Sequence, residues 1–537
     1  MTQNEDVRDY SVILENVSFS YRGGGKVLRG VNLKIRRGEF FGVVGPTGAG
    51  KTTLLYAISG VAPHYYGGLL TGRVITCGLD TSKHTLNEIS RKVNLVMQDP
   101  ESQLFNLHVA EELRWGLENL GVPKDEIDRR VDQVAEFMRI ENLKDRLTFN
   151  LSGGEKQKVA IAAIYALEPE VILLDEPTSE LDSQGSDLVF EAVRRLTSGK
   201  GTTVVMVEHK VEQLAEFADR IALMSDGSIL AVSEPRDFFL DNALRKVGID
   251  PPQIVELGNR LKSRLPIDRV PLTLPEAVQA YSGFARNYGS TDYTHPNQLR
   301  KEETGAKPVI EVVDLELEYP PPHRYKALRG INLRIGRGEF VALIGHNGSG
   351  KTTLAKCIVG LLKPTRGHVY INGIDNRNLP LSRLAQTVGF VFQNPNHQIF
   401  NDTVWGEIIC GLKNLKKPST YIKQRGEEVL RLMDLERYRD VHPFRLGEGI
   451  KQRVAVASIL AMEPKVLIVD EPTTGHSPRE SMMVCQLLQN LNREGMTIIM
   501  VTHSMHLVAQ YASRVLVLAE GRIVDDGHPR HIFNNTK

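Results

Sequence analysis

Lys51 and Lys351 stand 300 residues apart, and each closes a glycine-rich stretch of one design, GPTGAGKTT from Gly45 to Thr53 and GHNGSGKTT from Gly345 to Thr353. Gln98 and Gln393 recur at an offset of 295, as do the acid pairs Asp175-Glu176 and Asp470-Glu471, while His209 and His503 are 294 apart. A self-match sustained over a whole unit marks a duplicated domain, so this chain must make one fold twice. The 537 residues therefore hold at least two cores. Even the tails correspond, EPRDFF against HPRHIF, but the segment from Leu240 to about Pro308 has no second copy.

Local patterns place the motifs. Val12 to Tyr21 and Val31 to Ile35 alternate around a GGG turn, which predicts an antiparallel pair of strands. Phe40 to Val44 is an apolar run leading directly into Gly45, so the GxxxxGK[ST] pattern lies between a strand and a helix, the context it requires. Its glycines let backbone N–H groups turn inward around phosphates, Lys51 carries the counter-charge, and Thr52 offers a hydroxyl to a divalent ion. From Leu151 to Asp182 a Ser-Gly-Gly turn opens an alanine-rich helix; the run Val171 to Leu174 then ends in Asp175-Glu176. Acids at the carboxyl end of a buried parallel strand sit where open α/β sheets bind ligands. Val93 to Met97 and Thr203 to Val207 read as further strands, ending at Gln98 and at Glu208-His209. From Asp125, the apolar residues Ile127, Val131, Val134 and Met138 recur at helical spacing and are packing residues.

A formal charge of +1 gives no field that argues for a nucleic-acid partner. Four scattered cysteines, with no CxxC pair, point to a reduced cytosolic protein without a zinc or iron–sulfur module. No apolar run approaches the roughly 18 residues a membrane span needs, so a membrane role would be borrowed from partners. Five prolines between Pro251 and Pro275, with a helical pattern through Ile254, Leu257 and Leu261, precede the polar stretch GSTDYTHPNQLRKEETG. This predicts three segments: a first domain over 1–240, a small appended unit and connector over 241–307, and a second domain over 308–537.

The order of P-loop, Gln, LSGG-like turn, Asp-Glu strand and His, found twice, resembles the nucleotide-binding domains of ATP-binding-cassette proteins. The segments QDPESQLF, QNPNHQIF, VAEELRWGLENLG and GIDPPQIVELGNRL are most similar to the ATPases of energy-coupling-factor importers of vitamins or transition-metal ions. The resemblance implies an α/β fold of two P-loop NTPase domains, each a RecA-like parallel core with an antiparallel β subdomain and a helical subdomain. It implies ATP and Mg²⁺ as cofactors. The phosphate cradles would be Gly45, Pro46, Thr47, Gly48, Ala49, Gly50, Lys51, Thr52 and Thr53, and Gly345, His346, Asn347, Gly348, Ser349, Gly350, Lys351, Thr352 and Thr353. Thr52 with Gln98, and Thr352 with Gln393, would contact the metal, and Asp175 and Asp470 would hold it through water. Glu176 and Glu471 would polarise the attacking water, and His209 and His503 would contact the γ-phosphate. Tyr21 and Tyr319 would stack on adenine, or else stand as aromatics at a strand edge. The turns Ser152-Gly153-Gly154 and Gly447-Gly449 would cap the γ-phosphate bound by the other domain, in a head-to-tail pair formed within the chain. Further expectations are a transmembrane coupling protein and a membrane substrate-binding protein as separate chains, no nucleic acid, and a peripheral position on the cytoplasmic face of the membrane. A soluble tandem ATPase acting on ribosomes or nucleic acid is the alternative. Trp115 and Trp405, just beyond the Gln loops, are expected in the core.

The copies differ where the family pattern is strictest. Leu151-Ser152-Gly153-Gly154-Glu155 becomes Leu446-Gly447-Glu448-Gly449-Ile450, and Ser179-Glu180-Leu181-Asp182 becomes Thr474-Gly475-His476-Ser477. The Ser hydroxyl is lost, and a carboxylate about 4 Å from a phosphate would repel it by at most roughly 4 kcal/mol at an effective dielectric near 20. The resemblance assigns both defects to the nucleotide on Lys51. One consensus and one degenerate site are therefore expected.

Overall fold

The computed structural model describes residues 9–151, 153–179, 181, 183–241, 243–265, 267, 269–287, 307–320, 325–473 and 478–534; at 183, 184, 199, 200, 243, 285–287, 448, 478 and 479 it describes the backbone alone. The chain divides into two compact units, Met1–Tyr293 and Thr294–Lys537.

The first unit contains β1 Tyr10–Ser20, β2 Lys26–Arg36, β3 Phe40–Val44, β4 Leu69–Thr76, β5 Leu79–Asp80, β6 Val93–Val96, β7 Val171–Asp175, β8 Thr203–Val207, β9 Arg220–Ser225 and β10 Ser228–Ser233. An antiparallel sheet of order β2-β1-β4-β5 lies beside a six-stranded sheet of order β10-β9-β3-β8-β7-β6. The apolar runs behave as buried parallel strands must: every residue of β3, β7 and β8 is buried, and β3 pairs parallel with β8 and β9. Register then brings the strand ends level. Val43 and Asp175 both pair with Val207, so Gly45, Glu176 and Glu208 leave the sheet on one edge.

The helices Val109–Asn119, Lys124–Met138 and Gly153–Tyr165 pack together at one end of this sheet. Ile127, Val131, Val134 and Met138 are all buried, as their spacing requires. Beyond β10, the helix Gln253–Leu261 forms, but it turns a different face inward from the one its apolar spacing suggests. Val255 and Gly258 are buried and Leu257 is exposed, because Val270 Cγ1 would lie 2.7 Å from a Cβ on Gly258 and only a glycine lets the two segments meet. Leu244, Ile249, Val255, Val270 and Leu272 join the same core as Phe190 and Phe238. The polar connector GSTDYTHPNQLRKEETG lies outside the described residues.

The second unit repeats this plan with β11 Ile310–Glu318, β12 Lys326–Ile335, β13 Phe340–Ile344, β14 Arg366–Ile371, β15 Ile374–Asp375, β16 Val388–Val391, β17 Val466–Asp470, β18 Thr497–Val501, β19 Arg514–Ala519 and β20 Arg522–Gly527. Its sheets run β12-β11-β14-β15 and β16-β17-β18-β13-β19-β20, the same two orders strand for strand. Asp470 and Leu343 again share a partner, Val501. Among the described residues no helix is long and apolar enough to cross a membrane.

Candidate functional site

Each unit builds its site where β3 or β13 gives way to a helix, Lys51–Ile58 or Lys351–Ile358. The turn needs its glycines. Gly48 and Gly50 take φ of 81° and 97°, and a Cβ on Gly45 would lie 2.2 Å from the Met224 carbonyl oxygen. The lysines are buried inside the loop they close. Lys51 Nζ donates to the carbonyl oxygens of Gly45 and Pro46 at 2.9 and 3.2 Å, and Lys351 Nζ to those of Gly345 and His346 at 2.7 and 3.0 Å. Loop geometry is closed by Ala49 N–H on Pro46 O and Ser349 N–H on His346 O, both 3.1 Å. A cation held against backbone carbonyls at a helix N-terminus is already placed for polyphosphate.

At the ends of β7 and β17 the acids separate into two environments. Asp175 and Asp470 are buried, and burial, reinforced by the adjacent Glu, pushes each carboxyl up to about 6 despite the opposing Thr52 or Thr352 hydroxyl. Thr352 Oγ1 donates to Asp470 Oδ1 at 3.2 Å. Asp175 Oδ1 is buried with no hydrogen-bond partner among the described residues. An orphaned carboxylate oxygen beside a hydroxyl suits a hard divalent cation, so Mg²⁺ fits the residues present. A bound cation would oppose the burial that raises these carboxyls.

Glu176 and Glu471 point the other way, toward the histidines. His209 Nε2 lies 3.0 Å from Glu176 Oε1, and His503 Nδ1 lies 2.9 Å from Glu471 Oε2. Gln98 Nε2 donates to Glu176 Oε2 at 3.3 Å, and Lys51 Nζ is 3.9 Å from Glu176 Oε1. Gln393 is exposed at the matching position beyond β16. Both glutamates adopt a left-handed backbone, φ 46° and 48°, a strained geometry for a non-glycine residue. The structure thus gathers Lys, Asp, Glu and His at the carboxyl edge of each six-stranded sheet, with Gln98 drawn in as well in the first unit. Gly153 and Gly154 instead open the helix Gly153–Tyr165, and Gly447 caps Glu448–Leu460 without any side-chain hydrogen bond. Gly449 lies in that helix's first turn. Ser152, Glu180, Asp182 and Thr474 to Ser477 lie outside the described residues, as does the Glu448 side chain.

Tyr21 and Tyr319 stand beside the phosphate loops, their hydroxyls 3.1 and 3.3 Å from Thr53 and Thr353 Oγ1. The tryptophans divide, Trp405 packing against the core as expected and Trp115 not. Trp115 is 46% exposed, edge-on to Phe105 with ring centroids 4.5 Å apart. Trp405 is half-buried beneath the Arg439 guanidinium at 4.1 Å. Trp115 stays outside because a loop tip, not a core, is what it packs on. Buried Glu112 accepts the N–H groups of Phe105 and Asn106 at 3.2 and 2.9 Å, and Glu407 does the same for Phe400 and Asn401 at 3.1 and 2.9 Å. These carboxylates hold Phe105 and Phe400 out of the protein, 59% and 71% exposed.

One network was not legible in the motifs. Glu208, buried beside His209, accepts from Thr178 N–H at 3.1 Å, from the Thr178 hydroxyl and from His209 N–H at 2.8 Å. Lys210 Nζ donates to Thr178 O, Leu181 O and Ser186 Oγ at 2.8, 3.1 and 2.5 Å. Together they fasten the turn behind Glu176 to the end of β8. The second unit has Thr502 and Ser504 at these positions. Aligning the two copies, VEHK against VTHS, would have exposed this difference.

Comparison with known proteins finds similar chains. The family description "ABC transporter" matches residues 28–179 and 328–474. A protein of Methanosarcina mazei described as an ABC transporter ATP-binding protein is 39% identical over 543 residues, spanning 99% of this chain and 91% of its own length. One of the same description from Caldanaerobacter subterraneus subsp. tengcongensis is 39% identical over 530 residues, 98% of this chain and 92% of its own. Among solved structures, cbiO1 from Clostridium perfringens, part of the ABC transporter complex cbiONQ, covers 46% of this chain and 98% of its own with 31% identity and a TM-score of 0.41.

Proposed function

The chain belongs to the ABC transporter family, with two ATPase domains in tandem, and on that footing we propose that it is the energy-coupling ATPase of a membrane importer of the energy-coupling-factor type. Its cargo would be a micronutrient such as a vitamin or a transition-metal ion. A transmembrane coupling protein and a membrane substrate-binding protein, on separate chains, would hold it at the cytoplasmic face of the membrane. The observation that carries this proposal is the pair of aromatic loop tips. Phe105 with Trp115, and Phe400 in the second unit, are apolar groups held outward by buried carboxylates a few residues beyond Gln98 and Gln393. Exposed aromatic patches of this kind mark interaction surfaces. Placed next to the Gln loops, they are suited to carry motion from a nucleotide site to a membrane partner.

Within each site, Lys51 and Lys351 would neutralise the β- and γ-phosphates. Thr52 with Asp175, and Thr352 with Asp470, would hold Mg²⁺ together with Gln98 and Gln393; the ion supplies charge neutralisation as the phosphoryl group transfers. Glu176 and Glu471 would orient the attacking water, and His209 and His503, within 3.0 and 2.9 Å of those carboxylates, would contact the γ-phosphate. The two sites would be unequal. Gly447 stands at a helix N-cap where the first copy has Ser152, and it offers no hydroxyl. The site containing Lys351 and Glu471 would hydrolyse efficiently, and the site containing Lys51 and Glu176 slowly. Turnover of Glu471→Gln should then fall far below that of Glu176→Gln; equal losses would remove the asymmetry.

The deciding experiment is affinity purification of the tagged chain from gently solubilised membranes, followed by mass spectrometry. Recovery of a multi-span protein with a small membrane protein, lost on Phe105→Asp with Phe400→Asp, is the expected result. Ribosomal proteins from the soluble fraction, with nothing from the membrane, would replace the importer with a translation ATPase.

A further inference from the structure

The first unit has five more residues than the second between its P-loop lysine and its Gln, and the structure shows where they go. After the helix Lys51–Ile58 the chain makes a short extra turn, Val61–His64, and returns to β4 through Tyr65, Tyr66, Gly67 and Gly68. The return is pressed against the end of β1. A Cβ on Gly68 would lie 2.4 Å from Ser20 O and 2.7 Å from Phe19 Cζ, and Gly68 has φ of 113°. Leu69 pairs with Ser20. The extra residues are thereby fixed beside Tyr21.

Tyr66 meets Tyr21 edge to face, centroids 6.5 Å apart at 79°, and packs on Tyr56 of the P-loop helix at 5.0 Å. Tyr65 leans on Tyr66 at 5.1 Å. Four tyrosines therefore gather beside one P-loop helix, and the two from the extra turn remain 75% and 44% exposed. The second unit is built otherwise. Lys356 replaces Tyr56, the turn is shorter, and Tyr319 is stacked on Tyr325 at 5.1 Å and 20°, so that one face of its ring is already covered. In the first unit the turn after Tyr21 is Arg22-Gly23-Gly24-Gly25, which offers no such ring.

We propose that Tyr66, braced by Tyr56 and Tyr65, is a nucleobase-contacting residue of the first site. With Tyr21 it forms an aromatic corner for adenine that the second site lacks. This rests on Tyr21 marking the base side of the pocket. Two rings hold a base better than one, so the first site keeps its nucleotide longer, which suits a site that turns over slowly.

The test uses the full chain carrying Lys351→Ala, so that the first site dominates binding, and compares ATP with inorganic tripolyphosphate by calorimetry. Tyr66→Ala should weaken ATP about tenfold or more, the range of one aromatic–base contact, and leave tripolyphosphate unchanged. Tyr66→Phe should bind ATP like its parent. In the reciprocal Lys51→Ala background Tyr66→Ala should change nothing. Unaltered ATP affinity, or an equal loss for both ligands, would overturn the assignment and leave Tyr66 as a packing residue. A Lys351→Ala parent that binds neither ATP nor tripolyphosphate would overturn the first P-loop as a nucleotide site, and the Tyr66 contact would fall with that premise.

Discussion

Replacing Asp470 by Asn should make the nucleotide-free, metal-free protein more stable at neutral pH while ending turnover at that site. Asp470 is 2% exposed at the end of β17, and burial together with the Glu471 charge raises its pKa from 3.8 to about 6, against the Thr352 hydroxyl, Lys356 and Lys351. Between those two values the native protein holds a proton that the unfolded chain has released, so stability falls as pH rises through about 4 to 6. At about 1.36 kcal/mol per pKa unit, the charged carboxylate costs about 3 kcal/mol at pH 7. Asn keeps the volume and the Oδ1 that accepts from Thr352 at 3.2 Å, so the substitution removes the charge alone. Urea unfolding in EDTA, followed by Trp405 fluorescence in a Trp115→Phe background, measures the effect. The gain should approach about 3 kcal/mol at pH 7 and shrink toward zero near pH 4. A variant less stable at pH 7, or a gain that ignores pH, would refute the burial of an unneutralised charge as its source. Such a gain on removing a functional group is the usual exchange between stability and activity at a site.

Other expectations follow from the same geometry. Mn²⁺ binding in the presence of ATP should weaken about tenfold between pH 7 and pH 5, because a carboxyl with a pKa of about 6 must lose its proton to hold the hydrated ion; a flat profile would exclude Asp175 and Asp470 from holding it. Lys210→Met removes the donor to Thr178 O, Leu181 O and Ser186 Oγ and should destabilise the first unit by about 2–3 kcal/mol, read through Trp115; an effect under about 0.5 kcal/mol would show the tie to be idle. Gly68→Ala should cost more than about 2 kcal/mol in thermal or urea unfolding, whereas Gly23→Ala, with φ of 72° and open space around it, should cost about 1 kcal/mol. Equal costs at the two glycines would mean that φ, not the contact with Ser20 and Phe19, sets the penalty.

The repeat, the strand ends and the P-loops could be read from the chain because each is a local pattern with a fixed period. Apolar runs such as Val171 to Leu174 are too hydrophobic to be anything but buried strands, and the glycines of Gly45 to Thr53 have no other use at that spacing. The acids were placed correctly at a strand end for the same reason. Other features required contacts between distant segments. Trp115 reads as a core residue until Glu112 is seen holding the loop beneath it outward. The helix Gln253–Leu261 reads as an apolar pattern through Ile254, Leu257 and Leu261, and only its contact with Val270 shows Val255 and Gly258 to be its buried residues.

Sequence alone determined that two copies of one α/β nucleotide-binding fold lie in this chain, since periodicity and motif order are properties of the chain itself. Tertiary structure decided what two further differences between the sites do. Glu208 and Lys210 fasten the turn behind Glu176 in one unit, and Tyr66 stands against Tyr21 in the same unit, over 40 residues from it in the chain. Neither follows from residue type, because hydrogen-bond distance and ring contact are set by which backbone segments the sheet register brings together. Register pairs Leu69 with Ser20 and Asp175 with Val207, and those two pairings place the aromatic corner and the catalytic edge.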